Sequence, residues 1–351
     1  MSGRAASTWA LASLICFGAT AYASTVAAQG STSAGSGTAC VLQGTGLAPK
    51  DQAVFSAASG GAKIAQFSGA FVPLKATNFP ADSSNGRMQI NTAAGFRIEG
   101  FTDARTIPVW ATRDIPVVAD HVWISGGRSL RVLGASPGKL KVELPGRGSL
   151  SRGVTATVGC DALSFGKAPA PLFEVPGHAR GYVAKQSELD LHGSASGDLA
   201  YTLHAAGDGS GLLLWSTEAR GAYVHVVSRF ELFVDAWVKR ADLRALPPGE
   251  MMDQLVPPET VQNPPQLSLS SYVRIVTASR PVPIHFGRGD ATPTIGEIET
   301  GGEVYVIDII LGWASVIPKA LHIMPTDEKG FWVKASDLGI ATPGPDAGAK
   351  K

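Results

Sequence analysis

Gly312-Trp313-Ala314-Ser315-Val316 and, shortly after it, Phe331-Trp332-Val333-Lys334-Ala335-Ser336-Asp337-Leu338 are the stretches that decide how this chain folds. The first alternates apolar and polar side chains, the period of a strand with one face buried and the other wet. Alternation puts Ala314 and Val316 on one face, Trp313 and Ser315 on the other. Upstream, Ile295-Gly296-Glu297-Ile298-Glu299 and Gly302-Glu303-Val304-Tyr305-Val306-Ile307-Asp308 are similar short runs. Gly, Pro and Asp bound each run, so Val282 to Leu338 reads as short strands joined by tight turns.

The pattern recurs, which makes internal repetition the most informative property of the chain. Trp237-Val238-Lys239-Arg240-Ala241-Asp242-Leu243 matches the closing block at five of seven positions. Weaker versions are Thr157-Val158-Gly159-Cys160-Asp161-Ala162-Leu163 and Phe101-Thr102-Asp103-Ala104-Arg105-Thr106-Ile107. The Gly-led strand recurs as Gly86-Arg87-Met88-Gln89-Ile90, Gly138-Lys139-Leu140-Lys141-Val142 and Gly221-Ala222-Tyr223-Val224-His225-Val226. In all four places the Gly and the closing Leu or Ile keep a similar separation.

The last two repeats resemble bacterial SH3-like (SH3b) domains, in which a Gly-led strand with an aromatic precedes a Gly-Trp-Val strand, a short turn and a Leu. The resemblance covers residues 270–339 and 174–244, and extends in outline over 46–168, where the closing Trp is missing. It implies an all-β chain of up to four tandem SH3-like β-barrels. Short strands support this independently, since they need a closed or packed sheet to avoid open edges. The reading divides the chain into repeats at 46–107, 108–168, 174–244 and 270–339. The third carries what reads as a long insertion, Ser187 to Ser210, rich in Gly, Ser and Asp. Residues 245–269 hold six prolines between Pro247 and Pro265 and read as a semi-rigid linker that sets the last repeat apart. Residues 340–351 read as a disordered tail.

Composition agrees with this class. The 351 residues are 44% apolar and only 17% charged, with 41 Gly and 23 Pro to supply turns. Lys plus Arg number 30 and Asp plus Glu 29, so no net field favours nucleic acid. Residues 1–28 read as a signal peptide: Arg4 supplies the positive end and Trp9 to Phe17 the uncharged run. Ala21-Tyr22-Ala23 or Val26-Ala27-Ala28 would be the cleavage site, and the alternative is a membrane anchor. Residues 29–45 read as a flexible Gly/Ser-rich segment, and no later run is long enough for a spanning helix. Cleavage removes Cys16 and leaves Cys40 and Cys160, an even pair for which one disulfide is the simple expectation and two buried thiols the alternative.

Catalytic patterns are sparse. Gly193-Ser194-Ala195-Ser196-Gly197 has Ala where a nucleophile elbow needs Ser. The seven His show no H-E-x-x-H spacing, so neither a metal nor a cofactor is expected. Gly207-Asp208-Gly209-Ser210-Gly211 reads as a loop, and Arg288-Gly289-Asp290 as an exposed turn. What remains is binding. Trp313 and Ser315, with Tyr223 and His225 at the same places in the third repeat, form the candidate ligand platform, because aromatic faces hold sugars and peptides at little entropic cost. Trp237 and Trp332 read as structural, and Asp242 and Asp337 as caps of the short turn. The expectation is therefore an exported, non-enzymatic binding or scaffold protein of the cell envelope, periplasmic or extracellular. By the resemblance, its ligand is a peptidoglycan peptide or a partner-protein segment. The rivals are an exported hydrolase with its site where the first two repeats meet, and a purely structural or inhibitory protein.

Overall fold

The computed structural model describes residues 40–69, 72–75, 78–79, 87–92, 94–247, 267–326 and 330–341. The expected signal peptide, residues 248–266 of the 245–269 linker and the tail beyond Ala341 lie outside the described residues, as does most of 29–45. The described residues are all-β: strands, turns and four short 3-10 turns, without an α-helix.

Each 3-10 turn falls on one of the closing blocks, at Ala104–Thr106, Cys160–Ala162, Arg240–Asp242 and Ala335–Leu338. One pairing scheme recurs around them. In the third repeat Arg180–Ala184 pairs with Leu213–Arg220, the first strand of a meander that continues through Tyr223–Arg229 and Leu232–Lys239. A hairpin, Glu188–His192 with Leu199–His204, is inserted before the meander. After the 3-10 turn, Leu243–Ala245 returns to the outer side of Arg180–Ala184. The fourth repeat uses Arg274–Thr277, the hairpin Val282–His285 with Thr294–Ile298, and the meander Glu303–Ile310, Trp313–Pro318, Phe331–Lys334. In the second these roles fall to Val109–Ala111, Ile115–Val118 with Val122–Ile124, and Ser129–Ser136, Lys139–Leu144, Val154–Gly159. In the first they fall to Thr45–Ala48, Ala53–Phe55 with Lys63–Phe67, and Val72–Lys75, Arg87–Thr92, Phe96–Asp103.

The backbone ties the two sequence landmarks together. Gly138, Gly221 and Gly312 take positive φ of 67°, 55° and 80°, which turns the chain sharply into the Gly-led strand. The first residue of each following 3-10 turn then donates its N–H into that glycine turn: Cys160 to Gly138 (3.3 Å), Arg240 to Ala222 (2.8 Å) and Ala335 to Gly312 (2.9 Å). In these three repeats the two landmarks are therefore hydrogen-bonded to each other. Asp242 and Asp337 do not cap these turns. The N-caps are Lys239 and Lys334, whose side chains carry no acceptor and make no cap bond, and at the other end the Leu243 and Gly339 amides donate to the turn carbonyls. Asp337 instead takes Arg280 at 2.7 Å. Only in the first repeat does an Asp cap the turn by its side chain, Asp103 accepting from the Arg105 amide.

The Ser187–Ser210 stretch is not an extra insertion but the third repeat's version of a hairpin that all four possess. Its polar loops obscured the apolar alternation of Leu189, Leu191 and Leu203, all buried. Nor does the fourth repeat stand apart. The repeats pair as nested couples, first with fourth and second with third. Thr294–Ile298 adds to Phe96–Asp103 of the first repeat, with Ile298 opposite Phe96. In return the first repeat's hairpin strand Lys63–Phe67 pairs with Ile323–Pro325. Gly296 is required there, since a Cβ would collide with the Arg97 carbonyl. At the inner seam Val122–Ile124 adds to Leu232–Lys239, while Leu150 bridges Ala205 in the reciprocal place. Cys40 and Cys160 form the disulfide, which ties the entry of the first repeat to the end of the second.

A charged clasp holds the inner seam. Arg229, on the third repeat's central strand, makes two hydrogen bonds of 2.7 and 2.8 Å to Asp114 of the second and lies over the Phe233 ring. Burial would raise the Asp114 pKa, but the guanidinium and the Gly126 amide outweigh it and hold the pKa below its ordinary value. The clasp therefore adds stability above the pKa of an unfolded Asp, about 3.9. That stability is lost as pH falls through the lower folded pKa. Asp114→Asn should cost about 1.5–3 kcal/mol at neutral pH, the range for hydrogen bonds to charged groups. Thermal melts from pH 7 down to pH 2 should show its deficit against wild type shrinking at the acid end. A deficit that stays constant would refute the assignment.

Candidate functional site

The two Gly-led strands alternate as read from sequence. Val224 and Val226, like Ala314 and Val316, are in the core, whereas Tyr223, His225, Trp313 and Ser315 are half-buried on the opposite face. Strand pairing then builds a cluster that sequence reading only half anticipated.

In the third repeat His225 lies opposite Trp237, and His192 lies opposite Trp237 from the hairpin on its other side. The His192 ring stands edge-on to Tyr223 (5.2 Å, 82°), and the His225 ring lies 5.1 Å from Trp237. His192 Nδ1 is 3.1 Å from the Gly197 carbonyl, which can only accept, so this nitrogen carries the proton. Nε2 is buried and meets no hydrogen-bond partner among the described residues. His225 Nε2 meets Asp235 Oδ1 at 2.7 Å, and Arg220 covers Trp237 at 5.3 Å.

The fourth repeat places its histidine, Gly-strand aromatic and closing tryptophan at the same pairing positions, with Ser315 where the third has His225. Ser315 lies opposite Trp332, and His285 pairs with Trp332 from the hairpin side. The His285 ring stands edge-on to Trp313 (5.1 Å, 84°), and its Nδ1 is 3.1 Å from the Thr292 carbonyl. Arg288 covers Trp332 at 5.7 Å. Lys334 pairs with Asp290 at 2.7 Å, and that hydrogen bond raises the lysine pKa. The Arg-Gly-Asp turn thus frames this cluster with both of its charged side chains. In both hairpins the register shifts immediately before the histidine, and such an irregularity re-aims the side chain that follows.

Trp332 is not a core residue. Phe331 and Val333 fill the core, and alternation turns Trp332 to the face it shares with Trp313 and Ser315. Trp237 is buried, but on that same outer face, beneath His192 and His225. The first repeat places Phe55 opposite Phe101, with Arg87 stacked 3.5 Å over Phe55. The second presents Lys139, Lys141 and an Arg131–Glu143 ion pair instead. Sequence reading missed His192 and His285. Their signal was Leu189-Asp190-Leu191-His192 against Val282-Pro283-Ile284-His285, an apolar-x-apolar-His run in the same hairpin strand.

Among the described residues no group of three or more His, Cys, Asp or Glu side chains is placed to hold a metal ion. No helix among them is long and apolar enough to cross a membrane. The chain matches no protein-family model, and no curated protein matches it.

Proposed function

We propose that this is an exported, non-catalytic binding protein of the cell envelope, built of tandem SH3-like barrels. Its third and fourth repeats each offer an aromatic–histidine face to a peptidoglycan peptide or a segment of a partner protein. One observation carries the reading: the histidine, the Gly-strand aromatic and the closing tryptophan occupy the same pairing positions in both repeats. The histidine is locked in the same way by a loop carbonyl each time. A half-exposed aromatic face of this kind suits a ligand with an apolar body. The recurring strand scheme supports the SH3-like assignment. The disulfide supports passage through an oxidising compartment, periplasmic or extracellular.

Two weak faces in one chain gain by avidity. Purified protein should pellet with insoluble peptidoglycan, Trp313→Ala or Tyr223→Ala should weaken capture, and the double variant should lose it by roughly 100-fold. Thermal stability should hardly change, because neither ring is in the core. A chain that stays in the supernatant, or a double variant that pellets like wild type, removes the cell-wall version of this reading.

A further inference from the structure

The fourth repeat differs from the second and third at one edge. In those two, the strand after the 3-10 turn covers the outer side of the first strand: Leu163–Ser164 on Trp110 and Ala111, and Leu243–Ala245 on Tyr182–Ala184. In the fourth, Gly339 turns left-handed (φ 66°) and the Ile340 amide bonds back to the Ala335 carbonyl. The chain up to Ala341 adds no strand there. Arg274–Thr277 consequently ends its sheet among the described residues.

The backbone at this edge has a defined polarity. The Ala278 amide donates to Gly302 (2.9 Å), and Val276 and Arg274 face Val304 and Val306. Alternation then aims the amides and carbonyls of Ile275 and Thr277 outward. Val183, which holds the position of Thr277 in the third repeat, uses the same outward side to meet Arg244. Around this edge Tyr272, Val273 and Ile275 are 43%, 59% and 39% exposed, the densest run of exposed large apolar side chains among the described residues. An open apolar edge of this kind is a template for another strand.

We propose that the occupant is the same strand of a second chain, so that the protein forms a two-fold dimer through antiparallel pairing at Arg274–Thr277. The segment is complementary to itself when the two-fold axis passes through Val276. Ile275 then lies opposite Thr277 of the second chain, exchanging both backbone bonds, and this happens twice. Arg274 lies opposite Ala278, so no two charges meet. Val276 lies against its own counterpart, in the closely spaced pair where apolar side chains pack best. Like charges directly opposed would have forbidden such a pairing, and the sequence avoids them. The chain's own tail is a poor candidate, since Pro343 and Pro345 have no amide to donate. Antiparallel edge addition is also how both internal seams are made.

So short a seam buries less than the roughly 1,200 Å² of a standard stable interface, so the dimer is weak and concentration-dependent. Sedimentation equilibrium of the full chain, from micromolar to near-millimolar protein, should show a monomer–dimer transition. Ile275→Lys with Thr277→Lys, and separately Ile275→Glu with Thr277→Glu, should each stay monomeric while melting like wild type. Mixing the two in equal amounts should restore the dimer, because each Lys then faces a Glu. Wild type that stays monomeric throughout overturns the proposal, as would an edge already filled by another part of the chain. A dimer indifferent to both double variants, or a mixture that stays monomeric, overturns it as well.

Discussion

Phe331→Ala should cost about 3–5 kcal/mol, the range for emptying a buried aromatic site, and lower the melting temperature on the order of 10 °C. Phe331 opens the closing strand of the fourth repeat and is fully buried opposite Val316. Its ring packs 5.5 Å from Phe96 of the first repeat, which itself lies opposite Ile298 across the outer seam. One truncation therefore leaves a cavity bordered by two repeats, and neither can collapse into it without disturbing their shared sheet. Phe331→Leu keeps most of the volume and should cost less than about 1.5 kcal/mol. The neighbouring Trp332 gives a second readout. The Ala variant should weaken ligand capture together with stability, whereas Trp313→Ala should weaken capture alone. An Ala variant that melts within a degree or two of wild type would contradict this account of the seam.

Removing the disulfide should have a comparable effect. Cys40 and Cys160 are 120 residues apart in sequence, and in the chain-entropy model closing so long a loop stabilises by about 4–5 kcal/mol. Native disulfides in practice contribute roughly 2–5 kcal/mol. The segment that the bond anchors has few other supports. Cys40–Val41 makes a two-residue pairing with Asn78–Phe79, Leu42 is buried, and the Gln43 carbonyl accepts from the Phe165 amide at 2.7 Å. Cys40→Ser with Cys160→Ser should lower the melting temperature by a margin that reductant reproduces in wild type and does not increase in the variant. Proteolysis should then cut first near residues 40–46. A wild-type protein whose melting ignores reductant would show that the bond adds nothing.

How far the sequence could be read depended on where each signal came from. The Gly-led strand and the closing block were legible because each alternates cleanly and because they recur together at similar separations. The half-buried aromatics were legible for the same reason: Tyr223 and Trp313 sit at polar-face positions of strands whose other face is all apolar. Trp332 was not, since Phe-Trp-Val has no period of its own and only its partner Ser315 shows which way it faces. The hairpin histidines were hidden by polar loops and by a register shift just before each one. The nested seams left no readable mark, because edge-to-edge pairing is made by backbone groups that every residue carries. A strand bonded on both sides can keep the same side-chain alternation as one bonded on a single side.

The nesting of the seams also sets an order of events. A ribosome delivers the chain from its N terminus, so Phe96–Asp103 is made long before Thr294–Ile298, the strand that completes its sheet. The second and third repeats can close on each other as soon as Lys239 has emerged, while the first still waits with an open edge. Nonlocal pairing of this kind slows folding and prolongs the exposure of unpaired strands. A chain stopped after the third repeat but before the fourth would keep its inner couple intact and its first repeat open to whatever strand it met.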